Sequence, residues 1–294
     1  MTARICAAVV KAGDKFRHNM SDIAEDLRRN SRCLVWEDAR YARALQQFEL
    51  RQRENPEIFA GVDGNGEARR FTADQIRNGP IRDPEQNIVG VHFPIHPAEG
   101  TGSMTFTPEG WAAVHKDYFR AVLAPGGKKW IPGRRRYAAE WAKQNPEDPD
   151  PELVFSSGHG DEEGYGIQID TRASGASDAT WTTLFVDGRD FSRILASNKH
   201  FQQAARNKPT AQLIQFSCLT GSSRVATEMA QGLHSVGIRF RVWSPTDLHM
   251  VSPLKVRDET GGITIVDHGV AMKVDASGNP IAPAWAVSEA SRGA

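Results

Sequence analysis

The chain has 294 residues, 39% of them apolar and seven of them Trp, enough for one large or two modest domains around an ordinary hydrophobic core. Its 36 basic and 36 acidic residues cancel, so no global field recruits nucleic acid or an anionic membrane, and such a role would need a local patch. Three cysteines, Cys6, Cys33 and Cys218, at no metal-like spacing, exclude a disulfide framework and fit a reducing compartment.

No run of 18 apolar residues is present, and Ile5 to Val10 is too short and too weakly apolar for a signal-peptide core. The expected location is therefore cytoplasmic and off the membrane, with secretion by a signal-less route left open. Residues 20 to 54 read as helical, Ser21 capping the first stretch and Tyr41, Leu45 and Phe48 sharing one face of the second. Asn55-Pro56 ends that helix, and Gly61 to Gly66 is turn-rich. Asp63-Gly64-Asn65-Gly66-Glu67 lacks the ligand order and distal Glu of a calcium loop, so no metal is expected there. Thr72-Ala73-Asp74-Gln75 has the form of a capping box.

Asn87 to Phe93 reads as a strand flanked by His92 and His96, and Pro94 and Pro97 forbid the helix on which two histidines four apart would bind zinc. Thr107-Pro108 starts a helix, with Trp111, His115, Tyr118 and Val122 as a stripe running down to Leu123. Lys128-Lys129-Trp130 and Arg134-Arg135-Arg136 form a basic cluster with an aromatic inside it. The acidic run Glu147 to Glu152 follows, which favours a solvated linker over a nucleic-acid patch.

Two short stretches carry the chemistry. Leu153-Val154-Phe155-Ser156-Ser157-Gly158-His159-Gly160 and Leu213-Ile214-Gln215-Phe216-Ser217-Cys218 are apolar, β-prone runs that each break off into one reactive side chain. Two buried parallel strands ending this way deliver a His and a Cys to the carboxyl edge of a sheet, where ligands collect in such folds. Gly160 allows close backbone approach to a substrate and a backbone N–H for an oxyanion. Thr220-Gly221-Ser222 leads into a helix whose N-terminal charge would favour the Cys218 thiolate.

Between the two stretches, Tyr165 to Asp170 is a hairpin partner, 171 to 181 a surface loop, and Asp187 the cap of a helix carrying Phe191, Ile194 and Leu195. Beyond Cys218, Ala226, Met229, Ala230 and Leu233 recur at helical spacing, Gly237 stops that helix, and Ile238 to Trp243 is the next strand. Ile263 to Val266 and Val270 to Val274 follow as strands, Asp275 to Asn279 as a turn, and the last dozen residues as a frayed tail. Ile263 to Gly269 is a second hydrophobic block ending in His-Gly, so His268 competes with His159 on composition alone. His234 and His249 have no comparable setting.

A hydrophobic block ending in His-Gly, followed downstream by one ending in Ser-Cys, resembles the caspase-like cysteine peptidases. Cys218 lies 59 positions after His159 (218 − 159), compatible with the spacing of about 50 in caspases. From about Trp141 to Thr246 the chain is similar to the "lonely Cys" caspase-like domains of actinobacterial proteins. The match runs through Ala139-Glu140-Trp141-Ala142, Phe185-Val186-Asp187-Gly188 with Phe191, Phe216-Ser217-Cys218 and Val242-Trp243-Ser244-Pro245-Thr246. It covers about a third of the chain, and its order, His strand before Cys strand, selects His159 over His268.

The resemblance implies an α/β caspase-like sandwich with a mostly parallel central sheet flanked by helices. The expected division is a helical and mixed N-terminal region over 1–120, serving recognition or regulation or contributing the first strands of the sheet, a basic then Pro-rich linker over 121–151, the catalytic core over 152–280 and a tail over 281–294. It also implies a cysteine endopeptidase with Cys218 as nucleophile, His159 as proton carrier and the Gly160 and Cys218 N–H groups as oxyanion hole. Phe216, two before the Cys, would line the substrate pocket with Trp243, Ser244 and Asp247. An apolar Phe216 wall favours an apolar or small side chain, whereas Asp247 would attract a basic one. No cofactor or metal is implied, and no third catalytic member is evident. The implied partner is a polypeptide, with a homodimer or regulatory partner left open. The alternatives are a catalytically silent caspase-like scaffold and, more weakly, a nucleic-acid binder using Lys128 to Arg136.

Overall fold

The computed structural model of the chain describes residues 57–96, 99, 102–123, 130–143, 152–171, 180–206, 208, 211–251 and 262–289. The helices expected over 20–54 lie outside the described residues, as do Cys6 and Cys33.

The described part of the N-terminal region is mostly strand. β1 (Ile58–Asp63) and β2 (Ala68–Thr72) form a hairpin whose turn is closed by Asp63 Oδ1, which accepts the N–H groups of Asn65 and Glu67. A short 3₁₀ turn follows at Ala73–Gln75, with the capping box formed between Thr72 and Gln75. β3 (Gly79–Arg82) and β4 (Ile88–Phe93) pair antiparallel, and β5 (Met104–Phe106) leads into α1 (Pro108–Val114). Thr107 Oγ1 accepts the Gly110 N–H at 3.1 Å and starts α1 where expected.

The helical stripe expected from Trp111 to Val122 is corrected: α1 ends at His115, and Tyr118 and Val122 belong to β6 (Asp117–Leu123). Their spacing fits one helix face by coincidence, while Tyr118 and Phe119 find their partners across β7 (Trp130–Ala138). The stretch 121–151, expected as a linker, therefore contains a sheet strand and the short helix α2 (Glu140–Lys143).

The remaining elements are β8 (Leu153–Gly160), β9 (Tyr165–Asp170), β10 (Trp181–Val186), α3 (Gly188–Ser197), α4 (Lys199–Ala205) and β11 (Gln212–Phe216). After these come α5 (Arg224–Ser235), β12 (Arg241–Pro245), β13 (His249–Val251), β14 (Ile263–Ile265), β15 (His268–Ala271) and β16 (Trp285–Ser288). Asp187 caps α3 by accepting the Asp190 N–H at 2.8 Å, and Ser223 caps α5. The expected frayed tail is a second correction. Trp285, 2% exposed, packs against Trp141, and the strand it begins pairs antiparallel with β12.

β8 is the hub of a twelve-stranded sheet. Its body runs parallel to β4 on one side and β11 on the other, and β11 runs parallel to β12. β3, β5 and β14 extend the sheet beyond β4, and β16 extends it beyond β12. At its C-terminal end β8 changes partner: His159 and Gly160 pair with Gly166 and Tyr165 of β9, which opens a meander of β9, β10, β1 and β2. β1 to β5, all before residue 120, thus share one sheet with β8 to β12, β14 and β16. A second sheet, in the order β13-β15-β6-β7, has four strands.

Alternation along the strands sorts the core into two layers. Val154, Leu213 and Val242 belong to the layer with Phe191, Ile194 and Leu195 of α3 and Val225, Met229 and Leu233 of α5. Phe155, Ile214, Phe216 and Trp243 belong to the layer with Trp141, Tyr118, Val270 and Trp285. The result is a mixed α/β architecture in which helices cover one face of the parallel centre and the second sheet lies against the other.

Candidate active site

The register of β8 against β11 fixes the relation of the two reactive stretches. Ser157 pairs with Phe216, so the residues that follow, His159 and Cys218, leave neighbouring parallel strands at the same rim. Both lie an even number of positions beyond Phe155 and Phe216, on the face turned towards the second sheet. Gly160 ties the two stretches together. A Cβ there would lie 2.7 Å from Thr220 Cγ2 and 3.4 Å from the Cys218 carbonyl oxygen, so only glycine allows this approach.

Cys218 sits in a tight turn. Leu219 has φ of 58°, a left-handed conformation unusual for a branched side chain, and its N–H donates to the Asp247 carbonyl at 3.1 Å. The Cys218 thiol donates to the His249 carbonyl at 3.7 Å. Burial pushes the thiol pKa up, and the Asp247 carboxylate adds to the shift. The helix expected after Thr220-Gly221-Ser222 is α5, which begins at Arg224, but the thiol pKa is raised rather than lowered, which corrects the expected bias towards thiolate. No hydrogen bond joins Cys218 and His159 among the described residues.

His159 is half-buried, its side chain 38% exposed, and its Nε2 lies 2.9 Å from Glu99 Oε1. The other Glu99 oxygen accepts the N–H groups of Ile95 and His96 at 2.8 and 2.7 Å. Burial opposes ionisation of Glu99, but the His159 hydrogen bond and the His96 N–H outweigh it and hold the carboxyl at about 2. The His96 ring meets the His159 ring edge-on, with centroids 4.7 Å apart. Behind Glu99 lies His92, 3% exposed, with Nε2 at 3.8 Å from Oε1 and Nδ1 at 3.1 Å from Ser157 Oγ. Burial lowers the His92 pKa to about 4. Glu99 was missed in the sequence because its partner lies 60 positions away, and an acid three residues after His96 forms no pattern of its own.

The residues expected to line a substrate pocket fall into two groups. Phe216, Trp243 and Ser244 are core residues, 3%, 2% and 1% exposed. Phe216 stacks on the His249 ring at 4.5 Å, Trp243 Nε1 donates to Gln212 Oε1, and Ser244 Oγ donates to Gln215 Oε1. Asp247 is the one of the four at the rim, half-buried, with Oδ1 accepting the Leu248 N–H. The competing His268 is fully buried at the start of β15, among Phe216, Trp141 and Trp285, and neither of its nitrogens has a partner. His234, in the last turn of α5, places Nε2 2.9 Å from the Phe240 carbonyl beyond the helix.

Among the described residues no three His, Cys, Asp or Glu side chains cluster as metal ligands, and no helix is long and apolar enough to cross a membrane. A cavity of about 640 Å³ opens at the opposite rim, where β4 and β8 begin, lined by Arg82, Trp111, His115, Glu152 and Lys208 among others. From the two reactive stretches it takes only Leu153, at the end of β8 remote from His159. In the basic cluster, Arg136 is paired with Asp117 and Asp267, and Arg135 donates to the Ser277 carbonyl and Asn279.

No family model matches the chain, and no curated protein or solved structure matches it either.

Proposed function

We propose that this chain is a cysteine endopeptidase of the caspase-like type, with Cys218 as nucleophile and His159 as its proton partner. One observation carries the reading: His159 and Cys218 follow paired residues of adjacent parallel strands and so emerge together at the carboxyl rim. In the proposed reaction Cys218 gives its proton to His159, and the thiolate sulfur bonds to the scissile carbonyl carbon. Backbone N–H groups of Gly160 and Cys218 receive the oxyanion, the C–N bond breaks as His159 protonates the amine, and water activated by His159 then hydrolyses the thioester. Self-processing or release of an effector are the settings that suit such a module, in the cytoplasm or after signal-less export. A second copy or a regulatory partner is compatible with it.

A second reading, a silent caspase-like scaffold, draws on the raised thiol pKa and on the hydrogen bond from Cys218 to His249 rather than to His159. The nucleic-acid reading is weakened by the pairing of Arg136 with two aspartates. Proteome-wide mapping of new N-termini with wild type and Cys218→Ala tests the peptidase reading. Termini made only by the wild type are expected, and identical sets from both proteins would reject it. Labelling with iodoacetamide separates the scaffold, in which Cys218 reacts no faster than Cys6 or Cys33.

A further inference from the structure

The carboxylate that meets His159 lies beside a buried imidazole of the sheet. Ser157 Oγ lies 3.1 Å from His92 Nδ1, His92 Nε2 lies 3.8 Å from Glu99 Oε1, and the same oxygen lies 2.9 Å from His159 Nε2. Both Ser157 and His159 come from β8, on the same face, and His92 pairs with Ser157 across β4 and β8. His92, Ser157 and His159 are therefore pinned to two adjacent strands of the sheet centre. Glu99 itself comes from the connection between β4 and β5, and its second oxygen is held by the two backbone N–H groups of Ile95 and His96.

Hydrogen-bond valence assigns the protons. An ionised carboxylate only accepts, so His159 must present Nε2–H to Glu99, which leaves Nδ1 with its lone pair. The buried His92 is neutral and has one proton to place. Its Nδ1 lies 3.2 Å from the Ser157 carbonyl, which only accepts, and 3.1 Å from Ser157 Oγ, so Nδ1 carries the proton, while Nε2, 3.8 Å from Glu99, makes no hydrogen bond.

We infer that Glu99, its second oxygen held by the Ile95 and His96 N–H groups, is the positioning residue that fixes His159 in the Nε2–H tautomer and makes Nδ1 the atom that exchanges protons at this rim. The inference rests on the peptidase reading only for its catalytic consequence. When Cys218 gives its proton to Nδ1, the S–H bond breaks, the electron pair stays on sulfur, and the ring becomes an imidazolium with both nitrogens protonated. Its new charge then sits 2.9 Å from an anion that was already fixed, so no group has to reorient as the charge appears. Glu99 touches neither thiol nor substrate in this scheme; it acts through His159.

The test uses the full chain and two readouts that a merely structural role would not move. In ¹⁵N-edited long-range NMR spectra at pH 7.5, with His159 assigned by its loss in His159→Ala, the wild type is expected to show a protonated Nε2 and a bare Nδ1. Glu99→Gln is expected to give a mixture of tautomers. The pH profile of Cys218 alkylation by iodoacetamide should move to higher pH in Glu99→Gln, and peptide-cleavage kcat/KM should fall about 10²- to 10⁴-fold, as for other mis-set catalytic imidazoles. A protonated Nδ1 in the wild type overturns the assignment, as does a Glu99→Gln protein with wild-type spectrum and alkylation profile. A wild type that cleaves no peptide but shows the assigned tautomer, lost in Glu99→Gln, upholds the positioning role and rejects the peptidase reading instead.

Discussion

The chain contains two hydrophobic runs that end in His-Gly, and the fold gives them opposite fates. His159 closes β8, half-buried, with a carboxylate on one nitrogen. His268 opens β15, fully buried, with neither nitrogen partnered, and its Gly269 is pressed so close to Phe119 that a Cβ would lie 2.3 Å from the ring. The difference teaches that strand polarity, not the motif, decides which imidazole reaches solvent. A His at the carboxyl end of a central parallel strand projects past the rim, whereas a His entering a strand is packed under its neighbours.

The largest expected effect breaks the comparison at its functional end. His159→Ala should lower peptide-cleavage kcat/KM about a thousandfold, as loss of a general acid and base does. Its urea midpoint should stay close to wild type, whereas a fall as large as that of a core variant would place His159 among the structural residues.

Acid separates the buried histidines next. His268 and His92 have pKa values lowered by burial from the usual 6.5 to about 4, and His249 lies well below the usual value. The unfolded chain therefore binds more protons than the folded one below pH 6.5, so stability falls as pH drops from 6.5 towards 4. The upper limit is roughly 3 kcal/mol for each of His268 and His92. Glu99, held at about 2, adds a loss of the same sign at lower pH, because its ionised form is favoured by the fold above its unfolded value of 4.5. Urea unfolding at pH 7, 5.5 and 4 measures this, and a flat profile would contradict it.

His268→Leu sharpens the same contrast from the other side. Removing two unpartnered buried nitrogens should leave stability at pH 7 within about 1 kcal/mol of wild type or raise it. It should flatten the acid limb by the share of that one group and leave peptide cleavage unchanged. The smallest effect is expected from Arg136→Ala, whose half-exposed pairs with Asp117 and Asp267 contribute at most about 1 kcal/mol. Thermal melts in low and high salt would record it.

The sequence made the hub legible because its signals are local. The runs that became β8 and β11, the Thr107 and Asp187 caps and the apolar stripe of α5 depend on neighbours along the chain. What escaped depends on tertiary partners. Tyr118 and Val122 matched a helical period but pair across β7, and Trp285 looked like tail until its ring found Trp141. Phe216 was read as a pocket wall because it stands two before the Cys, yet His249, from a strand 31 positions beyond Cys218, lies over it. Glu99 was illegible for the same reason: no pattern in a proline-flanked loop announces a partner on a distant strand.

The change of partner within β8 has one more consequence. Cys218 hangs from the rigid parallel centre, but the last two residues of β8, His159 among them, are laced to the meander of β9, β10, β1 and β2. A pull on that outlying ribbon is felt by the imidazole before it is felt by the sulfur, so the gap between them answers to forces applied far from either.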